Sequence, residues 1–170
     1  MPRRAHVSVI GFNNSCTEVA RSAAYEVGRA IARRGGIVVC GGLGGVMEAA
    51  CRGAHDAGGL SVGIIPSADS GEANRYCDVV IPTGLGWSRD FLVANSGDAV
   101  VVVGGGAGTL TEVAAAYQMG KRIVAVRGTG GVADEWVGRH IDERKRGKVI
   151  GGANPEDAVA KAMKGLTRGR

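Results

Sequence analysis

Short apolar runs recur along the chain, and the stretches between them carry their apolar residues at helical spacing. The clearest run is 99–103, where four valines follow an alanine without an intervening polar residue. Such continuous runs are typical of strands buried on both faces, as in a parallel sheet covered by helices. Strands are predicted at residues 7–11, 37–40, 61–66, 77–82, 99–103, 122–126 and 148–150.

The segments between these runs have the patterns of helices. Helices are predicted to begin near Ser15, Val46, Gly86, Thr109, Val132 and Asn154, and the fifth is expected over 132–146 as a charged surface helix. Alternating strands and helices indicate an α/β fold: one doubly wound, Rossmann-like domain over residues 1–170 with about seven mainly parallel strands. Because right-handed crossovers bring the strand ends to one sheet edge, the loops there are expected to line one cleft.

Glycine-rich turns follow two of the buried strands. The turn at 104–108 leads into a helix, whose unpaired N–H groups favour an anion, most often phosphate, and glycine lets the backbone approach a ligand closely. A second turn occupies 41–45, and the first strand ends at Gly11. The predicted ligand-binding residues here are Gly104, Gly105, Gly106, Ala107, Gly108, Thr109, Gly41, Gly42, Gly44, Gly45, Gly11 and Asn13. Asn13 alternatively caps the first helix.

A structural role is the alternative interpretation of residues 109–112. They fit a capping box, in which Thr109 accepts a hydrogen bond from the N–H of Glu112 and the Glu112 carboxylate accepts one from Thr109. Neither turn has the G-x-G-x-x-G pattern of dinucleotide-binding proteins, and the chain has no Gly-Lys-Ser or Gly-Lys-Thr of a Walker loop. The two roles of Glu112 are compatible, because a capping residue can also face a ligand.

Residues 105–112, Gly-Gly-Ala-Gly-Thr-Leu-Thr-Glu, resemble the P-G-G-x-G-T-x-x-E signature of the Lonely Guy (lysine decarboxylase-like) superfamily. Gly104 stands where that signature has proline, and the resulting glycine triplet more closely resembles the short branch that includes the molybdenum cofactor carrier proteins. Residues 41–47 resemble the family's first glycine-rich turn, so the resemblance extends over roughly 7–126.

The resemblance implies that residues 104–109 bind the phosphate of a nucleoside monophosphate and that Glu112 and Arg89 are catalytic. Breaking an N-glycosidic bond builds positive charge on the sugar, which a fixed carboxylate stabilises. Arg89 matches the arginine of the family's M-x-x-R-K element, but Asp90 replaces the lysine and no methionine lies three residues before Arg89. Independently, an arginine in the first turn of a helix gains nothing from the dipole, so an anionic ligand or Asp90 is expected beside it.

Trp87 lies in a predicted loop at the cleft edge. A planar base stacked on its ring is one expectation, and simple packing or an oligomer contact is the other. The resemblance implies a dimer or a larger homo-oligomer, for which the helices containing residues 87–94 or 114–119 offer small apolar faces.

Composition narrows the choice of partner. The formal net charge is +5, but the basic residues concentrate toward the ends, at Arg3, Arg4, 144–146, Arg168 and Arg170. Aromatic residues make up only 4%, without the pattern of a stacking platform, which favours anionic small ligands over nucleic acid. No signal sequence or membrane-length apolar run is found, so a cytoplasmic location without a membrane partner is expected.

The cysteines and histidines predict neither disulfides nor a metal site. Cys16, Cys40, Cys51 and Cys77 contain no C-x-x-C pair, and the three histidines lie far apart. Reduced, buried cysteines are therefore expected. No lysine has the context of a pyridoxal Schiff base, so the protein is not predicted to be a lysine decarboxylase. The sequence predicts no cofactor.

Two functions remain compatible with the sequence. One is an N-glycosidic hydrolase that splits a nucleoside 5′-monophosphate into base and ribose 5-phosphate. The other is a non-catalytic carrier or sensor of a nucleotide or of a phosphorylated, pterin-like cofactor such as the molybdenum cofactor. The departures at Gly104 and Asp90 favour the carrier, whereas Glu112 in register favours the hydrolase.

Overall fold

The computed structural model describes residues 3–166, in which seven strands form one sheet in the order β4-β3-β2-β1-β5-β6-β7. The strands are β1 (His6–Gly11), β2 (Ile37–Cys40), β3 (Leu60–Ile65), β4 (Val79–Pro82), β5 (Ala99–Val103), β6 (Arg122–Val126) and β7 (Ile150–Gly152). The helices are α1 (Glu18–Arg33), α2 (Val46–Asp56), α3 (Asp90–Ser96), α4 (Ala107–Gln118), α5 (Gly131–Trp136) and α6 (Pro155–Met163). All neighbouring strands pair in parallel, which confirms the doubly wound α/β prediction.

The two faces of the sheet are covered by different helices. Helices α1, α2 and α6 pack on one face, and α3, α4 and α5 pack on the other. Every residue of the inner strand β5 is buried, because valines on both of its faces meet helical side chains.

The winding direction reverses between β1 and β5. The chain leaves β1 toward the face of α1 and leaves β5 toward the face of α4, although these strands are paired from Val7 with Ala99 to Gly11 with Val103. The loops after the two strands therefore diverge and open a crevice at the carboxyl edge of the sheet. Ligands of doubly wound proteins bind at such a switch point.

The predicted helix over 132–146 is wrong beyond Trp136, where α5 ends. Gly138 has a φ of +80°, which a right-handed helix does not allow, and its N–H donates to Val149 O at 2.7 Å. A turn and an antiparallel bridge between His140 and Lys148 follow. Strand β7 consequently begins two residues later than predicted.

Helix caps were predicted with mixed success. Ser15 is not the cap of α1, because residues 13–16 form a turn and Thr17 accepts the capping bond from Ala20 N at 3.2 Å. Asn154 does cap α6, accepting from Asp157 N at 2.9 Å, as predicted. A side-chain acceptor caps a helix where its own backbone is extended, as the backbones of Thr17 and Asn154 are.

Some of the basic side chains near the ends of the chain make contacts within the fold. Arg3 pairs with Asp98 at 2.6 Å, and Arg4 donates to Gly35 O at 2.8 Å. Arg168 and Arg170 lie outside the described residues. Across residues 3–166, the helices are too short and too polar to span a bilayer.

Candidate functional site

A cavity of about 480 Å³ opens at the switch point between β1 and β5. This volume lies within the range of small-molecule binding sites. The predicted site residues that line it are Gly11, Asn13, Gly41, Trp87, Arg89, Gly108, Thr109 and Glu112. Loops separated by up to about 100 residues in sequence thus meet at one edge of the sheet, as the crossover argument requires.

The other predicted glycine-turn residues do not line this cavity. They are Gly42, Gly44, Gly45, Gly104, Gly105, Gly106 and Ala107. Gly104 shows how they contribute: it has a φ of +60°, and its N–H donates to Thr129 Oγ1 at 2.9 Å. Its amide is therefore committed to the fold, while its conformation directs the chain from β5 into the start of α4.

The N-terminus of α4 lies at the cavity wall. The helix begins at Ala107 after the N-cap residue Gly106, and its first hydrogen bond runs from Leu110 N to Gly106 O at 3.0 Å. The N–H groups of residues 107–109 precede that bond and have no acceptor within the helix. Since Gly108 and Thr109 line the cavity, these donors lie beside the space available to a ligand.

The predicted capping box at 109–112 is wrong. Gly106 is the N-cap residue and provides no side-chain cap, so Thr109 and Glu112 both lie inside α4. The helix starts earlier because Gly105, with a φ of +105°, turns the chain before Thr109 is reached. Glu112 is consequently free of a capping role.

Arg89, Asp90 and Glu112 form a buried cluster of ionisable side chains, of which Arg89 and Glu112 line the cavity. Arg89 Nη1 donates to Asp90 Oδ1, and Arg89 Nη2 donates to Gly41 O at 3.4 Å. Arg89 Nε is buried and has no hydrogen-bond partner among residues 3–166. Arg89 thus links the start of α3 to the turn after β2.

Glu112 is only 7% exposed. Burial raises its pKa to about 8, and the negative charge of Asp90 acts in the same direction, against the opposing effect of Arg89. The side chain is therefore protonated and uncharged at neutral pH. Burial also raises the pKa of Asp90, while Arg89 favours its ionised form.

Asp90 was predicted only as one of two possible partners of Arg89, and sequence reasoning missed its burial. Next to a helix start, an aspartate is expected to serve the helix dipole, and nothing in the sequence distinguishes a buried one from an exposed one. The structure buries Asp90 at 3% exposure and pairs it with Arg89. Asn14, Leu43, Met47, Pro66 and Gly86 also line the cavity without having been assigned to the site.

Trp87 stands at the cavity mouth and is 84% exposed, so the alternative of simple core packing is wrong. A Cβ placed on Gly108 would lie 3.7 Å from Trp87 Cζ3, so the ring borders the N-terminus of α4. This position leaves the indole face accessible to a ligand or to another chain.

The predicted oligomer face is apolar and exposed. Phe91 on α3 and Leu110 on α4, together with Met119 just after α4, border a shallow groove whose lining residues carry no charge. A homo-oligomer through this face stays a prediction.

The fold and cavity together define a doubly wound α/β protein with a ligand-sized space at its topological switch point. The chain belongs to the SLOG cluster4 family, whose model matches residues 4–159. The resemblance to the Lonely Guy superfamily is thereby confirmed.

Proteins similar to this chain include a phosphoribohydrolase and two molybdenum cofactor proteins. The cytokinin riboside 5′-monophosphate phosphoribohydrolase of Mycobacterium tuberculosis is 40% identical over 101 residues, which cover 57% of this chain and 54% of that protein. The molybdenum cofactor binding protein of Rippkaea orientalis has a TM-score of 0.86 at 30% identity, covering 97% of this chain and 99% of that one. The molybdenum cofactor carrier protein of Chlamydomonas reinhardtii has a TM-score of 0.85 at 33% identity, covering 98% and 100%.

Proposed function

We propose that this protein binds a small phosphorylated molecule in the cavity, with the phosphate at the N-terminus of α4 and a planar heterocycle against Trp87. The observation that carries this proposal is the position of the N–H groups of 107–109 beside a ligand-sized cavity. Helix N-termini bind phosphate because unpaired donors and the positive end of the dipole act together.

The protonation and pairing of the buried side chains are compatible with binding of an anion. Below about pH 8 Glu112 is uncharged, and the Asp90 carboxylate is paired with the Arg89 guanidinium. A phosphate at 107–109 thus meets no unpaired carboxylate in this cluster. Ionisation of Glu112 above about pH 8 adds a negative charge, so affinity is expected to fall there.

A carrier or sensor role has the stronger support. The likeness to the two molybdenum cofactor proteins covers nearly the whole chain, whereas the likeness to the phosphoribohydrolase covers about half of it. In addition, Arg89 is already paired with Asp90, at a position where the Lonely Guy signature has lysine. A guanidinium held in this way has less freedom to act on a substrate.

Hydrolysis of a nucleoside monophosphate is the second candidate, and the protonated Glu112 favours it. A buried carboxylic acid whose pKa is raised to about 8 is the kind of general acid that glycosidases use. In such a reaction Glu112 gives its proton to the leaving base and the bond from that base to C1′ breaks. Water then adds its oxygen at C1′ and returns a proton to the Glu112 carboxylate.

One panel experiment tests both candidates. The protein is incubated at pH 7 with nucleoside 5′-monophosphates, a phosphorylated pterin and the same compounds without phosphate; bound ligand is measured by equilibrium dialysis and free base by chromatography. We expect at least one phosphorylated compound to bind more than about tenfold more tightly than its dephosphorylated partner and to be recovered intact. Release of base that Glu112→Gln abolishes would establish the hydrolase instead. Equal binding with and without phosphate would contradict both.

A further inference from the structure

Three cysteines that are distant in sequence meet on the α2 side of the sheet. Cys40 ends β2, Cys51 lies in α2, and Cys77 precedes β4. The Cys40 and Cys51 sulfurs are 3.4 Å apart, those of Cys51 and Cys77 are 3.8 Å apart, and all three lie within 4.8 Å of one another. Sequence spacing predicted no metal site, because it is the neighbouring positions of β2, β3 and β4 that bring these side chains together.

The triangle of sulfurs has the size of a metal site. With these three separations, a point equidistant from the sulfurs lies roughly 2.4 Å or less from each, close to the zinc–thiolate bond of about 2.3 Å. An ion in the plane of the triangle would therefore reach all three sulfurs with little movement of the backbone.

The surroundings suit thiolate ligands. Cys40 and Cys51 are fully buried, and Met47, Leu43 and Tyr76 pack around the cluster. Gly42 N donates to Cys40 Sγ at 3.3 Å, and Asn74 Nδ2 lies 4.0 Å from Cys51 Sγ. Donors of this kind orient metal-binding sulfurs and stabilise their charge.

We propose that Cys40, Cys51 and Cys77 bind one soft metal ion of low coordination number, Cu(I), in a trigonal site of three sulfurs. Thiolates select soft ions such as Cu(I) and zinc. Structural zinc requires four ligands, and no fourth cysteine, histidine or carboxylate joins this cluster within residues 3–166. The site is separate from the ligand cavity but borders it, because Gly41 follows Cys40 directly and lines the cavity wall.

Anaerobic titration of the full chain tests this proposal. Cu(I) is supplied to the reduced protein in competition with a chromogenic Cu(I) chelator, and X-ray absorption counts the sulfurs around copper. We expect one Cu(I) per chain with three sulfur neighbours, and a loss of affinity of more than about 100-fold in Cys77→Ser. Cys16→Ser is the matched control, because Cys16 lies outside the cluster, and it should bind as the wild type does.

The assignment is overturned by uptake of less than one equivalent by the wild type, by wild-type affinity in a folded Cys77→Ser, or by displacement of the Cu(I) by equimolar zinc. Thermal unfolding shows whether Cys77→Ser is folded. Cys77 is only partly buried, so its substitution is expected to disturb the fold less than substitution of Cys40 or Cys51. The sulfur count needs no variant, so fewer than three sulfurs around copper in the wild type would reject the site even if the variant unfolds.

Discussion

Gly108→Asp is expected to abolish binding of phosphorylated ligands while the fold persists. A Cβ at this position would lie 3.7 Å from Trp87 Cζ3 and 3.8 Å from Asp90 Oδ2, which are ordinary contact distances. The new carboxylate would gain from the helix dipole and lose through repulsion by Asp90, so stability should stay within about 1 kcal/mol of the wild type. A phosphate about 4 Å away would be repelled by about 4 kcal/mol at an effective dielectric constant of 20, a loss of more than about 100-fold in affinity.

Gly108→Asn is the matched control, because it adds nearly the same volume without the charge. We expect this variant to retain affinity within about tenfold of the wild type, since asparagine is tolerated near helix N-termini. Calorimetric titration with the tightest phosphorylated ligand measures both affinities, and thermal unfolding monitors the fold. Equal losses of affinity in the two variants would indicate that the added volume rather than the charge matters. Wild-type affinity in Gly108→Asp would show that the anion does not bind at the start of α4.

Glu112→Gln is expected to stabilise the protein at high pH, raising the free energy of unfolding at pH 9 by about 5 kcal/mol. The pKa of Glu112 is about 8 in the folded protein and near 4.5 in an exposed glutamate. As pH rises from about 4.5 to about 8, the unfolded chain loses this proton first, so wild-type stability falls through that interval and levels off above it. Glutamine does not ionise in either the folded or the unfolded protein, so the variant does not lose this stability as the pH rises.

Urea unfolding at pH 4, 7 and 9 measures this difference. The advantage of Glu112→Gln should be largest at pH 9, intermediate at pH 7 and close to zero at pH 4. Glu72→Gln serves as the control, because Glu72 is exposed, and its effect should be small at every pH. A difference between Glu112→Gln and the wild type that does not change with pH would show that Glu112 ionises normally in the folded protein.

The central strands were predictable because their apolar runs have sharp ends. Strand β5 and strand β6 occupy the predicted residues, since valine and isoleucine runs bounded by glycine or polar residues allow few alternatives. The segment after Trp136 was not predictable from its charges. A surface helix and an irregular surface loop can carry the same polar pattern. Here the positive φ of Gly138 prevents the helix from continuing.

The candidate site was partly predictable for a similar reason. Topology alone brings the loops after β1, β2, β4 and β5 to one edge, so Glu112 and Arg89 could be expected near the same cavity. The protonation of Glu112 could not be expected, because it depends on burial against Asp90. The cysteine cluster likewise depends on which strands are neighbours in the sheet, and this order cannot be inferred from the spacing of the cysteines along the chain.

The central claim is that the amide groups at the start of α4 bind the ligand's phosphate. Amide chemical shifts of the 15N-labelled wild type, recorded with a phosphorylated ligand and with its dephosphorylated partner, test it most directly. The account predicts large shifts at residues 107–109 with the phosphorylated compound and much smaller ones without phosphate. Shifts at these amides that are the same with both compounds, or absent while the phosphorylated ligand binds elsewhere, would contradict it.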